Sequence, residues 1–192
     1  MISRDDIRAA AERIDGYVRV TPVMDLEKGA FGVDAPLTLK LELQQITGSF
    51  KPRGAFNRVL SAAETDGIPE AGLITASGGN HGQAVAYVGR RLGHAAEIFV
   101  PESSPAVKAE RMRRNGAAVT IAGELYDDSY ALMLKRAEET GALLVHAYDQ
   151  PETVMGQGTL GMELNGQAPD LDTVLVAVGG GGVRALNERG VP

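Results

Sequence analysis

From Leu37 to Leu43 hydrophobic and polar positions alternate, with Leu37, Leu39, Leu41 and Leu43 separated by Thr38, Lys40 and Glu42. A period of two predicts a half-buried strand. Ala55, Val59 and Leu60 then take helical spacing, so Lys51 falls at a strand-to-helix junction. Upstream, Ile7, Ala10, Ala11 and Ile14 mark one face of an opening helix that Ser3 or Asp5 can cap and Gly16 stops. Pro22, Gly29, Gly32 and Pro36 break the stretch between, which reads as a short extended piece around Tyr17 to Val20, then loops and a helical turn.

From residue 72 to 148 the two periods alternate. Strands are predicted over 73–76, 97–100, 117–121 and 143–146, and helices over 80–92, 105–115 and 126–140. Such alternation argues for right-handed βαβ units and a parallel sheet. Ser104 as N-cap, Pro105 at the first helical position and Asn115-Gly116 as the stop frame the middle helix. Residues 151–166 read as a further helix despite Gly156, Gly158 and Gly161, which close packing against another backbone would explain. Thr173 to Val178 is a continuous apolar run, the mark of a strand buried on both faces.

Composition narrows the functional classes. A 192-residue chain with 44% hydrophobic residues can bury a core, and a net charge of −6 with no dense run of Lys or Arg gives no footprint for nucleic acid. Arg111, Arg113 and Arg114 form the one basic cluster and fit a helix face. The absence of cysteine excludes disulfides, thiolate metal sites and cysteine nucleophiles. The acidic start, Arg4-Asp5-Asp6, is wrong for a signal peptide, and no apolar run reaches membrane-spanning length, so a cytoplasmic protein is expected.

Three stretches carry candidate chemistry. In Thr47-Gly48-Ser49-Phe50-Lys51-Pro52-Arg53-Gly54 a lysine sits in a tight turn beside an aromatic ring, where lost solvation lowers its pKa and frees the neutral amine for Schiff-base chemistry. A solvated lysine opening a helix is the plainer alternative. Gly179, Gly180, Gly181 and Gly182 follow the last apolar run, and peptide N–H groups free of Cβ atoms can converge there on a phosphate, unless the run is a linker. Neither the dinucleotide fingerprint nor a Walker loop is present. Finally, Ser77, Asn80, His81 and Gln83 gather small polar groups at a strand exit, suited to a carboxylate and a phenolic oxygen, or simply to an N-cap. His94 and His146 read as structural, and no metal site is expected.

Together, Ser-Phe-Lys-x-Arg-Gly-Ala, Ser-x-Gly-Asn-His-Gly-Gln and the tetraglycine run, in this order, resemble the fold type II pyridoxal-phosphate enzymes of the tryptophan synthase beta-like superfamily. The serine/threonine dehydratases are the nearest group. Glu42, Gln45 and Gly156-Gln157-Gly158-Thr159 extend the likeness, and Lys51-Pro52-Arg53 separates it from cysteine synthases, which usually have Lys-Asp-Arg. The resemblance implies an α/β fold with open parallel sheets: a complete small βα domain over 72–148, and an incomplete large cofactor-binding domain from 1–71 and 149–192. It implies that Lys51 carries pyridoxal 5'-phosphate, Phe50 packs beside the ring, Asn80 bonds the ring's 3' oxygen and Gly179 to Gly182 hold the phosphate. Ser77, Asn80 and His81 would bind the carboxylate of a small amino-acid substrate. The implied reaction is β-elimination from L-threonine or L-serine, giving 2-oxobutanoate or pyruvate and ammonia.

Racemases of the superfamily carry a serine where this chain has Gly78, so elimination is expected over serine racemisation; hydroxyaspartate remains a possible substrate. Members usually run more than a hundred residues past the glycine loop and are homodimers, whereas here a more polar stretch, 184–190, leads to Pro192. A C-terminal truncation is therefore expected, in which no residue faces the pyridine nitrogen and the 174–178 strand lacks neighbours. A non-catalytic remnant or partner subunit is the alternative.

Overall fold

The computed structural model describes residues 2–177. Helix α1 (Arg4–Ile14) opens with a capping box, in which the Ser3 hydroxyl accepts from the Asp6 N–H and the Asp6 carboxylate accepts from Ser3. Those hydrogen bonds hold the Asp6 carboxyl below the usual carboxylate range. Its buried face is Ile7, Ala10 and Ile14, with Ala11 at the margin.

No strand forms over 17–20. The main chain of Arg19 is held instead by the Gln45 amide, whose oxygen accepts from Arg19 N–H at 2.9 Å and whose nitrogen donates to Arg19 C=O at 2.7 Å. The strand of this region lies later: β1 (Val23–Leu26) pairs antiparallel with β2 (Leu37–Lys40), around a single 3-10 turn at Ala30–Gly32. The alternating leucine run is thus strand only to Lys40 and continues as 3-10 turns at Glu42–Gln44 and Ile46–Gly48. Thr47 and Gly48 both have positive φ, +67° and +78°, which turns the chain sharply into helix α2 (Lys51–Thr65). For threonine that conformation costs about 1–2 kcal/mol, so strain is stored four residues before Lys51.

The sheet follows the predicted alternation: β3 (Leu73–Ala76), α3 (Asn80–Leu92), β4 (Ala96–Val100), α4 (Ala106–Arg114), β5 (Ala118–Ile121), α5 (Tyr126–Thr140) and β6 (Leu143–Leu144). Its strands are parallel in the order β5-β4-β3-β6. Helix α4 starts one residue later than expected, because Pro105 at ψ 130° is still extended and takes the cap position itself. Side chains alternate between two covered faces, as strand geometry requires. Leu73, Ile98 and Val100 join Phe56, Val59, Val85 and Val88 on one face, while Ile74, Ala76 and Phe99 meet Met133 of α5 on the other. Cover on both sides explains why all four residues of β3 are buried.

Helix α6 (Pro151–Gln167) crosses α2 and α1. A Cβ on Gly156 would stand 2.5 Å from the Arg53 main-chain oxygen, and one on Gly158 2.9 Å from Ile7, so these glycines do permit close helix contact. Residues 173–177 are not a strand, and Leu175 is 88% exposed. The expectation of a strand buried on both faces fails for these residues: among the described residues no strand lies alongside to pair with them, and a parallel strand has no ladder without a neighbour. Gly179 to Gly182 lie outside the described residues.

Candidate active site

Lys51 is the first residue of α2 and stands half-buried. Its ammonium donates to the Ala147 main-chain oxygen at 2.8 Å and lies 5.0 Å from the centre of the Phe50 ring. Burial pushes its pKa below the ordinary lysine value. Among the described residues no carboxylate comes within ion-pair distance to oppose that shift.

Ala147 belongs to the segment leaving β6, and that segment is built into the site from two sides. The Val145 oxygen accepts from the Thr75 hydroxyl at 2.8 Å and pairs with His81 Nε2 at 2.9 Å. Since the carbonyl can only accept, Nε2 carries the His81 proton and Nδ1 is a bare acceptor, buried without a protein partner. Burial lowers the His81 pKa to about 3; the Val145 hydrogen bond, the next largest influence, opposes it, and the Lys51 and His146 charges add smaller lowering effects. The ring is therefore neutral at physiological pH. Thr47 Oγ1 and Ser49 Oγ, in the turn before Lys51, are likewise buried with no partner.

At the neighbouring strand exit Ser77 is half-buried, and its hydroxyl accepts from Gly79 N–H at 3.2 Å. Asn80 is exposed at the first position of α3, and His81 follows it inward. The first-turn N–H groups of a helix have no intrahelical acceptor, so this end presents donors and the positive pole of the helix dipole. Gly78 is pressed against the loop before α4, where an added Cβ would meet Ser104 Oγ at 1.8 Å.

Sequence reading passed over His146 and the aromatic rings around it. His146, expected to be structural, stands close enough to Lys51 for their charges to interact; its pKa is lowered by burial first and by Lys51, against Asp149. Its Nδ1 accepts from the Tyr148 and Asp149 N–H groups at 3.3 and 2.9 Å, and its ring meets Tyr130 and Tyr148 edge-on with centres 5.6 and 4.7 Å apart. Tyr126 stacks on Tyr130 at 5.9 Å. The position of 145–148 beyond the carboxyl end of a parallel strand was the signal available.

The sequence over residues 14–185 matches the family described as pyridoxal-phosphate dependent enzyme. The chain belongs to that family. An L-threonine ammonia-lyase of Thermotoga maritima is 36% identical over 183 residues, 95% of this chain and 45% of that protein. Among solved structures, a pyridoxal 5'-phosphate-dependent aspartate racemase superposes with a TM-score of 0.90 at 34% identity, covering 96% of this chain and 57% of that one. A maize serine racemase gives 0.87 at 34% identity, covering 95% and 55%. The chain thus spans about half the length of the proteins it matches. Among the described residues of this family member no helix is long and apolar enough to cross a membrane, and no cluster of three or more His, Asp or Glu could hold a metal ion.

Proposed function

We propose that these residues form the lysine-bearing part of a lyase site that eliminates water from a small β-hydroxy amino acid, L-threonine or L-serine, to give a 2-oxo acid and ammonia. The Lys51 amine carries this reading, because it is desolvated, has no carboxylate partner, and stands at the start of α2 among buried polar groups that lack protein partners. A polar ligand would satisfy Thr47 Oγ1, Ser49 Oγ and His81 Nδ1, so the chemistry of the donor set fits pyridoxal phosphate. Lys51 would hold the cofactor with Phe50 beside it, Asn80 at the 3' oxygen, and Gly179 to Gly182 at the phosphate. When bound, that cofactor supplies the electron sink for breaking a bond at the substrate Cα.

The remaining roles belong to the chain. The Lys51 amine would act as general base toward the substrate Cα proton, a role favoured by the direction in which burial moves its pKa. Ser77 and Asn80 bind the substrate carboxylate at the α3 N-terminus, and His81, whose ring is turned to Val145, contributes there through its main-chain N–H. Residues 72–148, contiguous around the parallel sheet, would be the smaller domain, with 1–71 and 149–192 belonging to the larger, cofactor-binding one, and homodimers are the expected assembly.

Racemisation is the second reading, favoured by the aspartate and serine racemases among the structural relatives. It needs a proton donor on the face opposite Lys51, and Gly78 has none. Chiral chromatography together with ammonia release from L-serine and L-threonine, using protein loaded with pyridoxal phosphate, separates the two. Elimination predicts 2-oxo acid and ammonia in excess of any D-amino acid; D-serine formed faster than pyruvate overturns it.

A further inference from the structure

Arg53 heads the large side chains that are fully buried, at 1% exposure, and it lies two residues after Lys51 in the same turn of α2. Its guanidinium grips two carboxylates on two other elements. Nε and Nη2 donate to Glu42 at 2.9 and 2.8 Å, and Nη1 donates to Glu163 of α6 at 2.9 Å. Both carboxylates are braced in turn, Glu42 by the Thr21 hydroxyl at 2.6 Å, and Glu163 by the Thr21 N–H at 2.8 Å and the Lys40 ammonium. Burial opposes charge on both Arg53 and Glu163, yet hydrogen bonds to Glu42 and Glu163 hold the guanidinium more firmly protonated, and those from Arg53 and Lys40 hold the Glu163 carboxyl below its ordinary range.

Buried ion networks are seldom the most stabilising way to fill a core, since apolar side chains of similar volume do as well or better. A two-pronged Arg–carboxylate fork adds direction instead, fixing the rotation of the element that carries it. The start of α2 has need of such a device. No side chain caps it, no acidic residue stands in its first turn, and Pro52 supplies no N–H. A helix end of that kind frays, and Lys51 is its first residue.

We infer that Arg53 is a positioning residue for Lys51: clamped between Glu42 and Glu163, it holds the first turn of α2 down and so keeps the Lys51 amine at its desolvated place against Ala147. The inference deepens the reading of Lys51 as the reactive lysine, but it concerns the amine itself and can be tested with no cofactor present.

Trace acetylation of the full chain across a pH series, read lysine by lysine by peptide mass spectrometry, measures the titration midpoint of each amine. In the unaltered protein Lys51 should titrate below exposed Lys135. With Arg53→Lys, which cannot fork, and with Glu163→Gln, which keeps the shape and one acceptor, the Lys51 midpoint should rise by about one pH unit, a roughly tenfold fall in its neutral fraction at pH 7.5. Glu163→Gln is mild enough to fold should Arg53→Lys fail. Ile98→Ala, a core truncation on β4 without a link to the network, should lower the melting temperature and leave the Lys51 midpoint where it was. A midpoint unchanged in Glu163→Gln, or moved equally by Ile98→Ala, overturns the inference; loss of pyridoxal-phosphate attachment with an unmoved midpoint would count against the clamp and leave the lyase reading standing.

Discussion

Two lysines of this chain leave water in opposite ways. Lys40, its side chain 7% exposed, enters a closed polar network, donating to Glu163, to the Thr21 oxygen at 2.7 Å and to Gln167 at 2.6 Å. Lys51 is also withdrawn from solvent but finds a single neutral carbonyl and the face of a ring. A carboxylate stabilises the charged form of a buried amine, whereas desolvation alone destabilises it. An ion pair therefore ties one lysine into the fold, while burial without a carboxylate lowers the pKa of the other. The partner set separates them, and the depth of burial does not.

That contrast is broken most forcefully from the Lys40 side. Arg53→Met removes the cation paired with Glu42 and leaves Glu163 with Lys40 alone. It should cost about 3–5 kcal/mol, a third or more of a typical domain's stability, read as a fall in the urea midpoint. Lys51→Met strands no charge and should change stability by no more than about 1 kcal/mol in either direction. Equal losses for the two substitutions would contradict the distinction drawn here.

Acid sharpens the comparison through His81, which sits between Lys51 and the β6 exit. Its folded pKa of about 3 lies below the unfolded 6.5, so the unfolded chain takes up the proton first and stability is lost as pH falls through that window. Between pH 7 and pH 5 this amounts to about 2 kcal/mol, before the Glu163 carboxylate, whose lowered pKa keeps its stabilisation intact above about 4.5, contributes any loss. Urea melts at the two pH values should show the drop, and His81→Gln should flatten it. An effect of similar size is expected where α2 meets α6: Gly156→Ala drives a methyl toward the Arg53 carbonyl and should lower stability by about 1–3 kcal/mol, measurable by calorimetry.

The two regions also differ in how far sequence could reach them. Periodicity located β3, α3, β4, β5 and α5 to within a residue or two, because the central strands β3 and β4 are covered on both faces and the helices carry apolar stripes toward them. The stretch before Lys51 did not yield to it. Lys40 and Glu42 occupy polar positions of an alternating run and read as a solvated face, yet their side chains are only 7% and 12% exposed, since their charges are matched by residues more than a hundred positions away on α6 or eleven away on α2. Hydrophobic pattern reports apolar burial and is blind to paired polar burial. For the same reason Gln45 was legible only as part of a resemblance, although its amide substitutes for a strand along Arg19. Lys51 itself stood out through its turn, while its actual acceptor, a main-chain oxygen at residue 147, has no side-chain signature at all.

Borohydride reduction of the protein in the presence of pyridoxal phosphate, followed by peptide mapping, tests the central distinction most directly. Both buried lysines are offered the same aldehyde, and reduction records which amine took it. The account predicts the pyridoxyl group on Lys51, none on Lys40 or Lys108, and loss of the label in Lys51→Arg. A label on Lys40, or one that survives Lys51→Arg at the same yield, would contradict it.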